Sequence, residues 1–148
     1  MHIFWHQRDL RIPDNRGLAR AAADDTTLPV YVVDPDLLKQ IGRRQRAFLL
    51  DGVRDLREQY RALGSELVVR SGAPSEVLAD LVDATDADRV YYNTHYRPAR
   101  RNRQRRVDDA VPTESATDLV LVDPARLDSQ YPNHSRFYDD WTEEHKLP

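Results

Sequence analysis

The chain has no cysteine, so neither a disulfide framework nor a thiolate metal site is open to it. Lysine is nearly absent as well. Lys39 and Lys146 stand against an abundance of arginine, and aspartate far outnumbers glutamate. That imbalance fits a salt-adapted or GC-rich host and carries no information about function. The glycines, at 17, 42, 52, 64 and 72, form neither G-x-G-x-x-G nor a P-loop, which disfavours an ordinary dinucleotide or NTP site. No apolar run approaches the length of a membrane span and no signal-peptide pattern opens the chain, so a soluble cytoplasmic protein without a membrane partner is expected. A net charge of −3 is not, for the chain as a whole, the footprint of a nucleic-acid binder. What remains is 148 residues, enough for one domain with a core of its own.

The opening stretch organises the rest. Ile3 to Trp5 is a short apolar run that turns into Arg8, Asp9, Arg11 and Asp14, and Asn15 then begins a small-residue helix. That order reads as strand, loop, helix. Two arginines and two aspartates so close are expected to pair with one another and with backbone groups, fixing the loop as a structural network.

Further along, a helix is expected from residue 15 or 16 to 23, ended by Asp24-Asp25-Thr26, followed by a buried strand over 28–33. Pro29 is tolerable there because it stands at the strand's beginning. A short helix over 36–40 and the longest helix, 43–63, follow. Phe48, Leu49, Val53, Leu56, Tyr60 and Leu63 form the apolar stripe of that helix, and Gly64 is its cap. Strands are expected at 66–70, 89–93 and 119–122, with helices at 74–84 and 98–110 between them. Residues from 123 onward form a loop with a short helix over 135–144. Strands alternating with helices predict an α/β domain, its parallel sheet covered on both faces and joined by right-handed crossovers.

Trp5-His6-Gln7-Arg8-Asp9-Leu10-Arg11, with Asp14-Asn15-Arg16-Gly17-Leu18, resembles the opening signature of the DNA photolyase and cryptochrome family, roughly W-x-R-R-D-L-R followed by D-N-x-A-L. Gln7 stands where the family usually has arginine, and Gly17 where it has alanine. Tyr92-Asn93-Thr94-His95-Tyr96-Arg97-Pro98 is similar to the family's N-x-D-Y-E-P segment, with His95 and Arg97 replacing its two carboxylates. Val32-Val33-Asp34-Pro35-Asp36 resembles the family's DP loop, and Ser71-Gly72-Ala73-Pro74-Ser75-Glu76-Val77-Leu78 its G-x-P-x-x-V-L turn. The resemblance covers essentially the whole chain.

The resemblance implies a Rossmann-like five-stranded parallel sheet in the order 3-2-1-4-5, with the ligand crevice where strand order reverses, between strands one and four. It implies an antenna chromophore there, 8-hydroxy-5-deazaflavin first and a folate second, held by His6, Gln7, Arg8, Asp34, Arg46, Phe48, Asn93 and His95. The two lost carboxylates make the crevice more cationic and suit an anionic ligand better than a neutral one. Residues 1–127 would be the family's N-terminal domain. Residues 128–148 would lead toward a C-terminal domain, absent here, that holds the redox FAD and the damaged DNA. The parent would be a blue-light-dependent deoxyribodipyrimidine photo-lyase or a cryptochrome, while this chain alone would lack the catalytic residues. The rival reading is a free-standing Rossmann-like module for a nucleotide or flavin-type ligand.

The residues themselves suggest plainer roles for several of these groups. No histidine has a metal-ligand spacing such as H-E-x-x-H, and a satisfied structural role is expected for His6 and His95. The run Arg97, Arg100, Arg101, Arg103, Arg105, Arg106 could attract phosphates, yet it wraps most of a helix without interleaved aromatics, as a solvated or interdomain face would. In the tail, Phe137 and Trp141 share one helix face with Tyr138 beside them. That face either folds back on the sheet or docks on a further domain.

Overall fold

A computed structural model describes residues 1–23 and 25–146. Asp24, expected to help end the first helix, and Leu147 and Pro148 of the tail lie outside the described residues. Strands β1 (His2–His6), β2 (Thr27–Val33), β3 (Val68–Ser71), β4 (Arg89–Asn93) and β5 (Thr113–Ala116) form one parallel sheet in the order β3-β2-β1-β4-β5. Helices α1 (Arg16–Ala23), α2 (Pro35–Gln40), α3 (Arg43–Ala62), α4 (Pro74–Thr85) and α5 (Pro98–Asp108) connect them, and α6 (His134–Glu143) lies in the tail.

The alternation of β1 sorts the core into two halves. Ile3 and Trp5 face Leu78 of α4 and Val107 of α5, together with Val30, Val32, Val90 and Tyr92 of the neighbouring strands. Phe4 faces the opposite way, toward Ala21 of α1, and on that side Val53, Leu56 and Tyr60 of α3 cover Tyr31 and Leu67. Because β2 and β3 run to one side of β1 and β4 and β5 to the other, right-handed crossovers put their helices on opposite faces. Pro29 pairs opposite Phe4, and β2 begins to pair with β3 only at Val30, so no β3 partner goes short of its amide.

Local chemistry sets the helix ends. Asn15 Oδ1 accepts the Leu18 N–H at 3.1 Å, and Asp34 Oδ1 accepts those of Asp36 and Leu37 at 2.9 and 3.3 Å. Gly64, at φ 77°, turns the chain out of α3, and Ser65 N–H closes on the Tyr60 carbonyl.

Two expectations fail. The fifth strand is not 119–122 but Thr113–Ala116, a polar segment of which only Ala116 is buried. An edge strand is paired on one side only and needs no continuous apolar run. The apolar residues 119–122 form a loop instead, with Val122 buried and Leu119 and Leu121 exposed. The α3 stripe is also narrower than its spacing suggested. Val53, Leu56 and Tyr60 are buried, whereas Phe48 at one end is 83% exposed and Leu63 at the other is 69% exposed. The sheet spans only the middle turns of this long helix.

Candidate functional site

The carboxyl ends of β1 and β4 lie side by side at the point where strand order reverses. Beneath them is a closed polar network. Asp9 Oδ1 accepts the Gln7 amide at 3.0 Å, and Oδ2 accepts the side-chain amides of Asn15 and Asn93 at 3.2 and 2.8 Å. Asn93 also donates to Asn15 Oδ1 at 2.8 Å and accepts the Gly17 N–H at 2.9 Å. His6 is fully buried. Its Nδ1–H donates to the Asp9 carbonyl at 2.9 Å, so Nε2 accepts the Tyr60 hydroxyl at 2.8 Å. Burial pushes the His6 imidazole below its ordinary pKa. His6 and Asn93 therefore serve the floor of the crevice and have no free polar atom to offer a ligand.

The expected arginine–aspartate pairing within the opening loop does not form. Arg11 donates to the Asp14 carbonyl and to Asp118, at 2.7 and 2.6 Å, and the Asp118 side chain is only 1% exposed. Asp118 also accepts the Arg16 N–H at 3.0 Å, holding the first turn of α1. Its place in the fold, just beyond β5, could not be read while the fifth strand was expected at 119–122. Among the described residues Arg8 pairs with no carboxylate and reaches His95 instead.

Above the floor the groups are cationic. Arg8 Nη1 lies 3.3 Å from His95 Nε2, and the Arg97 N–H lies 3.0 Å from His95 Nδ1. Arg103 pairs with Asp34 at 3.2 Å and stacks its guanidinium over the Trp5 indole, 5.5 Å from the ring centroid. Arg100 and Arg103 lie three residues apart on one side of α5, and Arg97 stands at its N-cap. His95 is held in place by backbone and neighbours: its N–H donates to Gln104 Oε1, Gln104 donates to the Asn93 carbonyl, and Tyr96 stacks on the ring. Burial, then the charges of Arg100, Arg8, Arg97 and Arg103, lower its pKa to about 4. Burial and the same arginine cluster lower Arg100 to about 10.

Gln7 is buried, yet among the described residues neither polar atom of its carboxamide has a partner, and the Arg103 Nε is likewise unpartnered. Such orphaned groups are uncommon in a finished interior. Of the sequence-derived candidates, Arg8 and His95 meet, and Asp34 is joined to them through Arg103, while Gln7 follows directly on β1. Arg46 turns away to the Ile41 carbonyl at 3.0 Å, and Phe48 stands exposed on α3. Hydrogen bonds and ion pairs link neither residue to the crevice among the described residues. A cleft of about 280 Å³ adjoins it, sharing Thr94 and His95 and walled by Tyr96, Leu119, Val120 and Pro124. Sequence reasoning missed that wall because it assigned 119–122 to the sheet.

A parallel sheet in this order, with a polar crevice at the switch point and no glycine phosphate loop, defines a Rossmann-like α/β domain. More narrowly, the chain belongs to the DNA photolyase family, which matches residues 2–148. It is 34% identical to the deoxyribodipyrimidine photo-lyase of Halobacterium salinarum, covering 100% of this chain and 35% of that protein. It is 40% identical to the deoxyribodipyrimidine photo-lyase of Thermus thermophilus, covering 92% of this chain and 31% of that one. The chain therefore spans about a third of the length of the curated relatives it matches. Its fold is that of a Synechocystis cryptochrome, with a TM-score of 0.88 over 99% of this chain and 34% of the other, at 21% identity.

Proposed function

We propose that this chain is the N-terminal light-harvesting domain of a blue-light-dependent photolyase or cryptochrome relative, with an antenna chromophore held in the crevice above β1 and β4. The observation that carries the reading is the buried, unpartnered Gln7 carboxamide at the switch point of a domain that matches the family over residues 2–148. A carboxamide offers one donor–acceptor edge, the complement of the O=C–N–H edge of a deazaflavin or pterin ring. 8-Hydroxy-5-deazaflavin is the first candidate and a folate the second. Bound there, the chromophore would supply absorption of blue light. The chain's own part would be to orient the ring through Gln7, offer the cationic groups of α5 to its polar substituents, and keep water from its buried edge.

In the parent, residues 1–127 would form this antenna unit and residues 128–148 would lead to a C-terminal domain. Reduced FAD in that domain would split pyrimidine dimers in damaged DNA, the cofactor carrying the chemistry and the protein its orientation. The absence of a glycine loop weighs against the rival reading of an ordinary nucleotide module.

Titrating the purified protein with each chromophore and following its absorption band tests the antenna role. A saturable shift with the deazaflavin is expected, reduced by Gln7→Leu. Tighter folate binding would reverse the order of candidates, and no binding of either would overturn the reading.

A further inference from the structure

Two aromatic rings of the core stand between groups of opposite charge. Trp5 of β1 and Tyr92 of β4 pack edge to face, with 5.8 Å between ring centroids and an interplanar angle of 69°. Both belong to the half of the core that α4 and α5 cover, Trp5 being 1% exposed and Tyr92 5%. The Arg103 guanidinium lies against the indole and ties it to the crevice, since Arg103 also pairs with Asp34 and acts on the His95 ring. At the other end, the Tyr92 hydroxyl donates to Asp108 Oδ1 at 2.8 Å. Asp108 is exposed, so this hydrogen bond carries the buried pair to solvent.

Charge is graded along this line. Asp34 offsets part of the charge of Arg103, but Arg8, Arg97 and Arg100 stand at the same end and have no carboxylate within ion-pair distance among the described residues. Asp108 accepts hydrogen bonds from Tyr92 and Thr113, and among the described residues no cation pairs with it. Helix α5 runs from the arginine end to Asp108, so its partial charges, positive then negative, follow the same sense. A positive charge created on the indole is therefore repelled by Arg103 and drawn toward Asp108, where burial keeps screening weak. Burial, then the Asp108 carboxylate, push the Tyr92 hydroxyl above its ordinary pKa, so it keeps its proton until the ring is oxidised. A carboxylate already within hydrogen-bond reach can take that proton without rearrangement.

We propose that Trp5, Tyr92 and Asp108 form a relay that drains oxidising equivalents from the crevice to solvent. A one-electron oxidant in the crevice, of the class of an excited aromatic dye or an inorganic radical, takes one electron from the Trp5 indole. The indole radical cation then takes one electron from Tyr92. The Tyr92 O–H bond breaks in that step and its proton passes to the Asp108 carboxylate, leaving a neutral tyrosyl radical beside a carboxylic acid. One electron from a soluble thiol, together with the proton held by Asp108, restores Tyr92. The net change is one electron passed from thiol to oxidant, with no bond of the core altered. The relay serves any such oxidant and does not rest on the antenna reading.

The chain has no cysteine, so Arg8→Cys gives a single attachment point for a ruthenium polypyridyl photo-oxidant at the crevice. Tyr96→Phe and Trp141→Phe remove an exposed tyrosine near the label and the second tryptophan, leaving Trp5 as the only indole. Tyr96→Cys is an alternative point for the label if Arg8→Cys does not fold. Laser flashes in the presence of an irreversible electron acceptor oxidise the label, and transient absorption follows the indole and tyrosyl radicals. An indole radical that gives way to a tyrosyl radical is expected, with the tyrosyl signal shortened by added thiol. Tyr92→Phe should lengthen the life of the indole radical by about tenfold or more and abolish the tyrosyl signal. Asp108→Asn keeps the side chain's shape but removes the base, and should slow the handover by about tenfold. Both substitutions conserve shape, so melting temperatures near wild type are the check on folding. Failure to form an indole radical would overturn the relay, and so would wild-type kinetics in Tyr92→Phe or in Asp108→Asn.

Discussion

Gly17 sits where a side chain has no room. A Cβ there would lie 2.5 Å from Asn93 Oδ1 and 3.0 Å from the Phe4 ring. Asn93 cannot readily yield, because its amide is tied to Asp9 and Asn15 while its oxygen takes the Gly17 N–H. The absence of a side chain at Gly17 therefore has a local cause. Gly17→Ala would gain about 1 kcal/mol of helix propensity and incur about 1–3 kcal/mol of overpacking. A net loss of roughly 1 kcal/mol in urea unfolding is the expected outcome, and a stability equal to or above wild type would show that the network shifts freely. The opening motif set Asp9 in a network with Arg8, Arg11 and Asp14 and did not mark Asn15, six residues on, as its partner. It gave no hint of Asn93, which sheet pairing alone brings across 78 residues to Asn15.

Helix α5 shows how one run of like residues divides its work. Gln104 and Val107 are buried and anchor the helix, Arg100 and Arg103 turn toward the crevice, and Arg101, Arg105 and Arg106 face solvent. The solvated face expected from the sequence is thus half of the helix, and periodicity could not separate the halves because arginine occupies both. Helix α6 is the contrary case. Its expected aromatic face exists, yet its ring contacts and ion pairs run to Arg126, Tyr131, Lys146 and its own turns. Trp141 is half-buried, whereas Trp5 is 1% exposed. Acrylamide should accordingly quench one tryptophan readily and the other hardly at all, and light proteolysis should cut near the exposed residues Asp128 to Gln130 before it touches the sheet. A single, protected tryptophan population with an uncut tail would show that α6 folds onto the α/β layers.

For the molecule as a whole, a net charge of −3 hides a strongly cationic end. Its consequence is a pH dependence of folding. His95 has a pKa of about 4 in the folded chain against an ordinary 6.5, so between those values the unfolded chain takes up a proton that the native one refuses. Stability must fall as pH drops through that window, by up to about 3 kcal/mol. His6, also lowered by burial, acts in the same direction. The paired carboxylates Asp25, Asp88 and Glu66 are depressed too, but their unfolded forms titrate below about pH 5 and leave the upper window to the histidines. Urea midpoints in phosphate-free buffer should decline from about pH 7 to about pH 5, and His95→Gln should flatten the decline. A midpoint independent of pH, or a slope that His95→Gln leaves unchanged, would refute this.

The alternation of apolar runs with amphipathic stretches, the turn residues and the opening motif were sufficient for the parallel sheet, its helices and the family. These are local signals, and burial on both faces writes them into each strand in turn. The fifth strand escaped because an edge segment needs little apolar surface. The crevice escaped in part for a related reason: hydrogen bonding depends on which atoms meet, and the chain lists residues without their partners. Gln7, Arg8 and His95 were legible as neighbours of the switch point. That His6 would be satisfied was legible too; that Asn93 would be satisfied beneath it, that Asp118 would close it from beyond β5, and that His95 would meet donors on both sides followed from packing, which joins groups 78 to 107 residues apart.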